Sequence, residues 1–198
     1  MFESPEDDSR VQLYKLIELA RTRDEQAFTT LFNYYSPGIC GYLAGMVSHL
    51  EDRDELAQET FLRAWKELPN LRHPSRFKPW LYRIATNIAH DYHRRHQSRL
   101  WPFPLEDFEG FDDPKNFEEG VAEKELVKQA LKEMPWKYRA CLLLEIEGKL
   151  SRKEIAEAVG ISEKSVSTYT SYGRQRFRQA YYRLENERTI LEERRIVP

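Results

Sequence analysis

Apolar residues recur at the three- and four-residue spacing of amphipathic helices through most of this 198-residue chain, and one long stretch interrupts that spacing. Over residues 97–120 it gives way to prolines, glycines, acids and aromatics, a composition typical of an extended linker. No strand-like alternation of useful length occurs on either side. The sequence therefore predicts an all-α fold in which two helical domains are joined by an extended acidic linker.

The same pattern divides the chain into five segments. They are an N-terminal segment with a short helix (1–23), a first module (24–96), the linker (97–120), a second module (121–186) and a charged C-terminal tail (187–198). We interpret the tail as a frayed helical extension.

Local signals predict where the helices begin and end. In the first module we expect breaks at 36–38, near 51–52 and over 68–75, where proline cannot continue a helix. In the second module four helices are expected, at 121–132, 136–147, 152–159 and 163–186.

Composition limits the classes of function. No apolar run approaches the roughly 18 residues of a membrane span, and no signal peptide is evident, so we expect a cytoplasmic protein. Cys40 and Cys141 lack the spacing of metal ligands and are expected to be small buried hydrophobes. His90, His93 and His96 do not share one helix face, so we predict no metal site, and nothing indicates a cofactor.

The net charge of −2 argues against strong general affinity for nucleic acid, which comes mainly from phosphate neutralisation. Any DNA binding must therefore be local. Acidic residues crowd 106–119, whereas arginines cluster at 94–95 and at 174–178.

The predicted helix over 54–68 has two unlike faces. Its core stripe consists of Ala57, Phe61, Ala64 and Leu68. The opposite stripe places Leu62 among the polar side chains Glu55, Gln58 and Glu59. An exposed apolar group ringed by polar ones favours a protein interface, although an ordinary solvated face with one leucine is the alternative.

A second helix, over about 76–95, combines a core stripe with a mixed flank. The stripe consists of Phe77, Leu81, Ile84, Ile88 and Tyr92. The flank consists of Trp80, Arg83, Asn87, His90 and Arg94. Such a flank can stack on an unpaired base, hydrogen-bond its edge and neutralise phosphate, although a solvated flank with Trp80 partly in the core is the alternative.

Residues 154–162 predict a helix-turn-helix. Ala156 is the small contact residue, Gly160 ends the first helix and Ser162 is placed to cap the second. In the second helix the inward residues are Val166, Gly173, Phe177, Ala180 and Leu184. A helical hairpin without a role in DNA binding is the alternative.

With these residues in hand, the sequence resembles the extracytoplasmic-function class of bacterial sigma factors, from Asp24 to about Leu184. Residues 54–65 resemble the family's polymerase-binding helix, 77–95 its promoter-melting helix, and 150–161 with the following helix its upstream-promoter reader. The resemblance implies binding to core RNA polymerase, at its largest-subunit clamp and flap regions, and to promoter DNA. It also implies an anti-sigma partner and no catalytic role.

The resemblance assigns a candidate role to each face. The polymerase-binding residues are Asp54, Glu55, Gln58, Glu59 and Leu62. The residues for the melted minus-ten strand are Arg72, Trp80, Arg83, Asn87, His90, Arg94 and Arg95. Those for the minus-thirty-five duplex are Lys164, Ser165, Ser167, Thr168, Ser171, Tyr172, Arg174 and Gln175.

One departure stands out. Where the family commonly carries an arginine-rich run, this chain has Ser167, Thr168 and Tyr169, so a relative's preferred sequence cannot be transferred to it. A stand-alone helix-turn-helix regulator is the alternative function. An enzyme is disfavoured because no nucleophile–base pair, phosphate-binding glycine loop or metal cluster is evident.

Overall fold

The computed structural model describes residues 5–47, 50–96 and 121–196. The first module comprises α1 (Pro5–Arg21), α2 (Glu25–Met46), α3 (Leu50–Glu67) and α4 (Phe77–His96), with two 3-10 turns, Leu68–Asn70 and Pro74–Arg76, between α3 and α4. The second comprises α5 (Val121–Lys132), α6 (Trp136–Ile146), α7 (Arg152–Val159) and α8 (Glu163–Ile196). The described ranges contain no strand, which confirms the all-α prediction. The acidic linker lies outside the described residues.

The break predicted at residues 36–38 is wrong. Helix α2 continues through Pro37 to Met46. Proline removes one backbone hydrogen bond from the helix, but Pro37 lies on the exposed side, where water can satisfy the freed carbonyl. Burial of Tyr35, Ile39 and Tyr42 on both sides of the proline holds the helix against the core. Tertiary packing therefore overrides the local signal.

The N-terminal helix is longer than expected, whereas the last helix extends into the tail as expected. Helix α1 has 17 residues instead of the short helix predicted, and its Ile17 and Ala20 are buried in the core of the first module. Helix α8 continues past residue 186 to Ile196, so the described part of the tail is a helical extension. Glu and Arg favour helix in this stretch, and Arg183 pairs with Glu187 one turn later, at 3.8 Å.

The predicted core stripes are confirmed. The residues of the α3 stripe, Ala57, Phe61, Ala64 and Leu68, are all buried. On α4 the buried residues of the stripe are Phe77, Leu81, Ile84 and Ile88, while Tyr92 is half-buried and donates a hydrogen bond to Asp52 at 2.6 Å. Cys141 is buried, and burial raises the pKa of its thiol to about 12, whereas Cys40 is only half-buried.

The helix-turn-helix forms at the predicted residues. Ser151 and Glu154 make a reciprocal capping box at the start of α7. Gly160 ends that helix in the left-handed region, at φ 70°, and Ser162 accepts a hydrogen bond from the Ser165 amide at 3.2 Å. Local capping thus defines where α7 ends and where α8 begins.

The left-handed turn makes Gly160 a sensitive position. We expect Gly160→Val to lower the free energy of unfolding by about 1–2 kcal/mol, because a β-branched residue is strained at positive φ. Gly160→Asn should cost less, since asparagine tolerates this conformation. A side chain at this position would meet no atom within 4 Å, so crowding cannot account for a loss. Urea unfolding followed by circular dichroism measures the free energy of unfolding of both variants. Equal losses in Gly160→Val and Gly160→Asn would contradict the explanation from backbone strain.

The two modules pack against each other. Helix α4 contacts α7, and α2 contacts α5 and α6. One hydrophobic core contains residues of both modules, such as Met46 and Leu143. Within the described residues, no helix is both long and apolar enough to cross a membrane.

Candidate protein and nucleic-acid interfaces

The outward face of α3 carries the predicted mixture of apolar and acidic side chains. Leu62 is 60% exposed, and Glu55 and Gln58 are exposed beside it. Two of the predicted carboxylates have basic neighbours on the same helix: Asp54 lies 2.7 Å from Arg53, and Glu59 lies 2.9 Å from Arg63. The five predicted residues therefore share one accessible face.

Leu62 lies at the edge of a groove between α2 and α3 that sequence reasoning missed. The groove has a volume of about 540 Å³. Its lining is formed by Glu25, Phe28, Thr29, Phe32, Gln58, Phe61, Leu62 and Trp65. Phe32 is 40% exposed within this lining, next in the groove to the exposed Leu62. The one-turn spacing of Phe28 and Phe32 on α2 was the available signal.

Arg23 contacts Trp65, one of the side chains that line this groove. Its guanidinium donates a hydrogen bond to the Trp65 carbonyl at 2.6 Å and lies 5.1 Å from the centre of the Trp65 ring. The ring also packs on Phe28, with ring centres 4.8 Å apart. Trp65 is therefore held in place before any partner binds.

The flank of α4 is only partly accessible. Arg83 and Asn87 are exposed one turn apart, and the adjacent residues Arg94 and Arg95 are exposed near the helix end. Arg94 pairs with Asp91 at 3.2 Å. These cations and the Asn87 amide are brought to one side of the helix, as a strand-binding surface requires.

Two aromatic members of that flank are less available than predicted. Trp80 is half-buried against Phe77, with ring centres 5.7 Å apart, so its indole belongs partly to the core. His90 stacks on Trp136 of α6 at 4.4 Å. The helix spacing that placed both on the flank could not reveal what would pack on them.

The 3-10 turns before α4 add cations to this surface. Arg72 is exposed there, and it lines a groove of about 380 Å³ together with His73 and Arg76. Trp80 and Arg83 of α4 line the same groove. Arg76 was not predicted, because no periodic pattern extends into the turns.

The outward face of α8 is polar and mostly accessible. Its exposed residues are Lys164, Thr168, Ser171 and Arg174, and its half-buried ones are Ser165, Ser167, Tyr172 and Gln175. Tyr172 leans on Tyr138, at 6.2 Å between ring centres, and Arg174 pairs with Glu145 at 2.6 Å. The exposed residues of this face for which the structure describes no ring contact or ion pair are therefore Lys164, Thr168 and Ser171.

The histidines of α4 take part in packing. His93 accepts a hydrogen bond from the Arg139 guanidinium at 2.8 Å, and its Nε2 also lies 2.7 Å from the Met46 carbonyl oxygen. The side chain of His96 lies outside what the structure describes.

The described residues form a helix-turn-helix, a cationic helix flank and an apolar groove on a partly acidic helix face. These are the features of a transcription factor that also binds a protein. Comparison with known proteins narrows this class. Residues 31–99 match the family model for sigma-70 region 2, and residues 124–177 match that for sigma-70 region 4.

Curated relatives are similar in sequence to this chain over most of its length. The RNA polymerase sigma-H factor of Pseudomonas aeruginosa is 32% identical over 154 residues, which cover 72% of this chain and 79% of the relative. The extracytoplasmic-function sigma factor SigW of Bacillus subtilis is 27% identical over 180 residues, covering 85% and 96%. The chain therefore belongs to the extracytoplasmic-function sigma factors of the sigma-70 family and is an RNA polymerase sigma factor.

Solved structures share the fold. CnrH, in complex with the cytosolic domain of CnrY, is similar with a TM-score of 0.65 and 22% identity, over 84% of this chain and 95% of that one. RpoE of Bartonella quintana, in complex with the anti-sigma factor NepR, has a TM-score of 0.61 and 16% identity, over 77% and 95%.

Proposed function

We propose that this sigma factor divides its work among three surfaces: the α3 face binds core polymerase, the α4 flank holds the melted minus-ten strand, and α8 reads the minus-thirty-five duplex. The observation that carries the proposal is the exposed Leu62, which lines an apolar groove and shares its helix face with the exposed acid Glu55. A stable monomer has no use for such a face, whereas a basic helical partner complements both its apolar and its acidic parts.

The α4 flank is suited to a single strand and not to a duplex. Asn87 offers an amide that can pair with the edge of one extruded base, and Arg83 lies one turn away for phosphate. Arg72 on the preceding turn extends the cationic surface, and Arg94 and Arg95 extend it towards the end of the helix. The protein stabilises an open strand and needs no bond-breaking chemistry, so we propose no catalytic activity.

The α8 face suits the major groove but makes little use of charge. Lys164, Thr168 and Ser171 offer one cation and two hydroxyls to base edges and phosphates. Weak phosphate attraction means that this helix binds mainly when polymerase holds it at the promoter.

The partners and location follow the family. Both solved neighbours are complexes, one of CnrH with the cytosolic domain of CnrY and one of RpoE with an anti-sigma factor. We propose that an anti-sigma factor also restrains this chain, that the polymerase clamp and flap regions are its other protein partners, and that it acts in the cytoplasm.

Run-off transcription with purified core polymerase tests the function. The chain should co-elute with core and direct initiation from a promoter that core alone does not use. The stand-alone regulator makes the opposite prediction. If the chain protects duplex DNA by itself and neither binds core nor directs initiation, the regulator is the correct function.

The strand-binding role of Asn87 gives a narrower prediction. Asn87→Ala should leave core binding intact. It should reduce open-complex formation about tenfold, because the variant loses one or two hydrogen bonds to a base. Permanganate footprinting of the melted region measures the open complex. Asn33→Ala, at an exposed position on α2, is the control and should have no effect. Loss of core binding by Asn87→Ala would contradict the division of roles.

A further inference from the structure

The connection between α1 and α2 is short and held by backbone hydrogen bonds. The amides of Thr22 and Asp24 both donate hydrogen bonds to the Leu19 carbonyl, at 3.0 and 3.3 Å. The Arg23 amide donates one to the Ala20 carbonyl at 3.1 Å. The side chain of Asp24 then caps the start of α2. The backbone direction at Arg23 is therefore set by the residues on either side of it.

Arg23 has a backbone conformation that arginine does not favour. Its φ is 72°, in the left-handed region. Helices commonly end with a residue in this region, but glycine is the residue that adopts it without a steric penalty. Because such strain has to be offset by other contacts, an arginine here indicates that its side chain makes one.

The guanidinium of Arg23 reaches the C-terminal end of α3. It donates hydrogen bonds to the Trp65 carbonyl at 2.6 Å and to the Lys66 carbonyl at 3.3 Å. In an α-helix the amide four residues later is the usual donor to a carbonyl, but for Trp65 that residue is Pro69, which has no N–H. The same guanidinium lies 5.1 Å from the centre of the Trp65 ring. One side chain therefore contacts both the backbone and the indole of Trp65.

We propose that Arg23 is a positioning residue for polymerase binding: it holds the Trp65 indole in the groove between α2 and α3, so that core polymerase meets an ordered ring beside Leu62. The proposal rests on the polymerase-binding role proposed for the α3 face. The indole lines the groove with Leu62, and Phe28 and Arg23 both contact it. Association costs free energy for each side chain that has to be ordered, and a ring that is already held avoids that cost.

The strained backbone separates a positioning role from a purely structural one. Arg23→Gly removes the guanidinium but relieves the strain, so we expect core affinity to fall about threefold to tenfold while the melting temperature stays close to that of wild type. Arg23→Ala removes the same guanidinium and keeps the strain. It should bind core as weakly as Arg23→Gly but melt about 2–4 °C below it. If affinity instead follows the melting temperature across the two variants, Arg23 is only structural.

The state of the ring can be followed by fluorine NMR of full-length protein labelled with 5-fluorotryptophan at its four tryptophans. Loss of one signal in Trp65→Phe assigns Trp65. In Arg23→Gly this signal should shift or broaden and the others should not change. Lys15→Ala removes a positive charge from an exposed position on α1 and is the control. It should alter neither the Trp65 signal nor the affinity measured by titration of labelled core polymerase.

A double-variant cycle shows whether Arg23 acts through Trp65. In a Trp65→Leu background, Arg23→Gly should weaken core binding little further, because the ring that Arg23 holds is already absent. Equal effects in both backgrounds would indicate a direct contact of Arg23 with polymerase and would overturn the positioning role. Should Trp65→Leu fail to fold, as judged by helical circular dichroism, the Trp65 fluorine signal in Arg23→Gly decides the question.

The outcomes also distinguish this proposal from the one on which it rests. If Leu62→Arg binds core weakly and Arg23→Gly binds it as the wild type does, α3 docks on polymerase but Arg23 does not position the ring. If Leu62→Arg itself binds core as the wild type does, the docking role of α3 fails, and the positioning role fails with it.

Discussion

Leu62→Arg is expected to reduce the affinity for core polymerase by about thirtyfold or more, the effect of losing one apolar anchor at the centre of an interface. Leu62 is 60% exposed, so the substitution leaves the packing of α3 undisturbed. Its guanidinium would border the groove that Phe32 and Trp65 line, and an apolar partner surface would have to desolvate it. Titration of labelled core polymerase with the purified variant measures the loss.

A matched substitution separates interface chemistry from general surface change. Leu19→Arg places the same charge at a leucine that is 50% exposed on α1, away from the α2–α3 groove. It should bind core as the wild type does. Equal losses of affinity for core polymerase in both variants, or an unchanged affinity for Leu62→Arg, would show that α3 is not part of the polymerase interface.

Phe77→Ala is expected to lower the free energy of unfolding by about 3–5 kcal/mol, because it removes a buried aromatic ring and leaves a cavity. Phe77 is 1% exposed and packs between Tyr35 and Trp80, with ring centres 5.2 Å and 5.7 Å away. For a chain of this size such a loss shifts the melting temperature on the order of 10 °C. Thermal unfolding followed by circular dichroism measures the shift.

A smaller substitution at the same residue serves as the control. Phe77→Leu keeps most of the apolar volume and should cost no more than about 1.5 kcal/mol. If alanine and leucine cost the same, cavity formation at Phe77 is not the cause. Because Trp80 leans on this ring, strand binding by the folded alanine variant should weaken as well.

Sequence reasoning was most accurate where local interactions decide the structure. The bounds of α7 match the predicted 152–159, and Gly160 was the signal for its end. The capping box of Ser151 and Glu154 at its start acts, like that glycine, within one helix. The exposure of Leu62 followed from helix spacing alone. Pro37 shows where such signals fail, because α2 is held by side chains from other helices and not by its own propensity.

Contacts between the modules could not be predicted. Spacing placed His90 and Trp80 on an outward flank, but no pattern in one segment indicates that Trp136 will stack on His90. Nothing in the sequence indicates that Gly45 lies against Leu143. A missing side chain is informative only when the opposing helix is known. The groove at Phe28 and Phe32 was missed for the same reason: it exists only between two helices.

The core shared by the two modules constrains the exchange of modules between relatives. A hybrid that joins the first module of this chain to the second module of another sigma factor would set foreign side chains opposite Gly45 and Arg76. Recombination within the linker therefore disturbs packing far from the junction. Hybrids that keep compatible residues opposite both positions, as Leu143 and Glu157 are here, are the ones expected to fold like their parents.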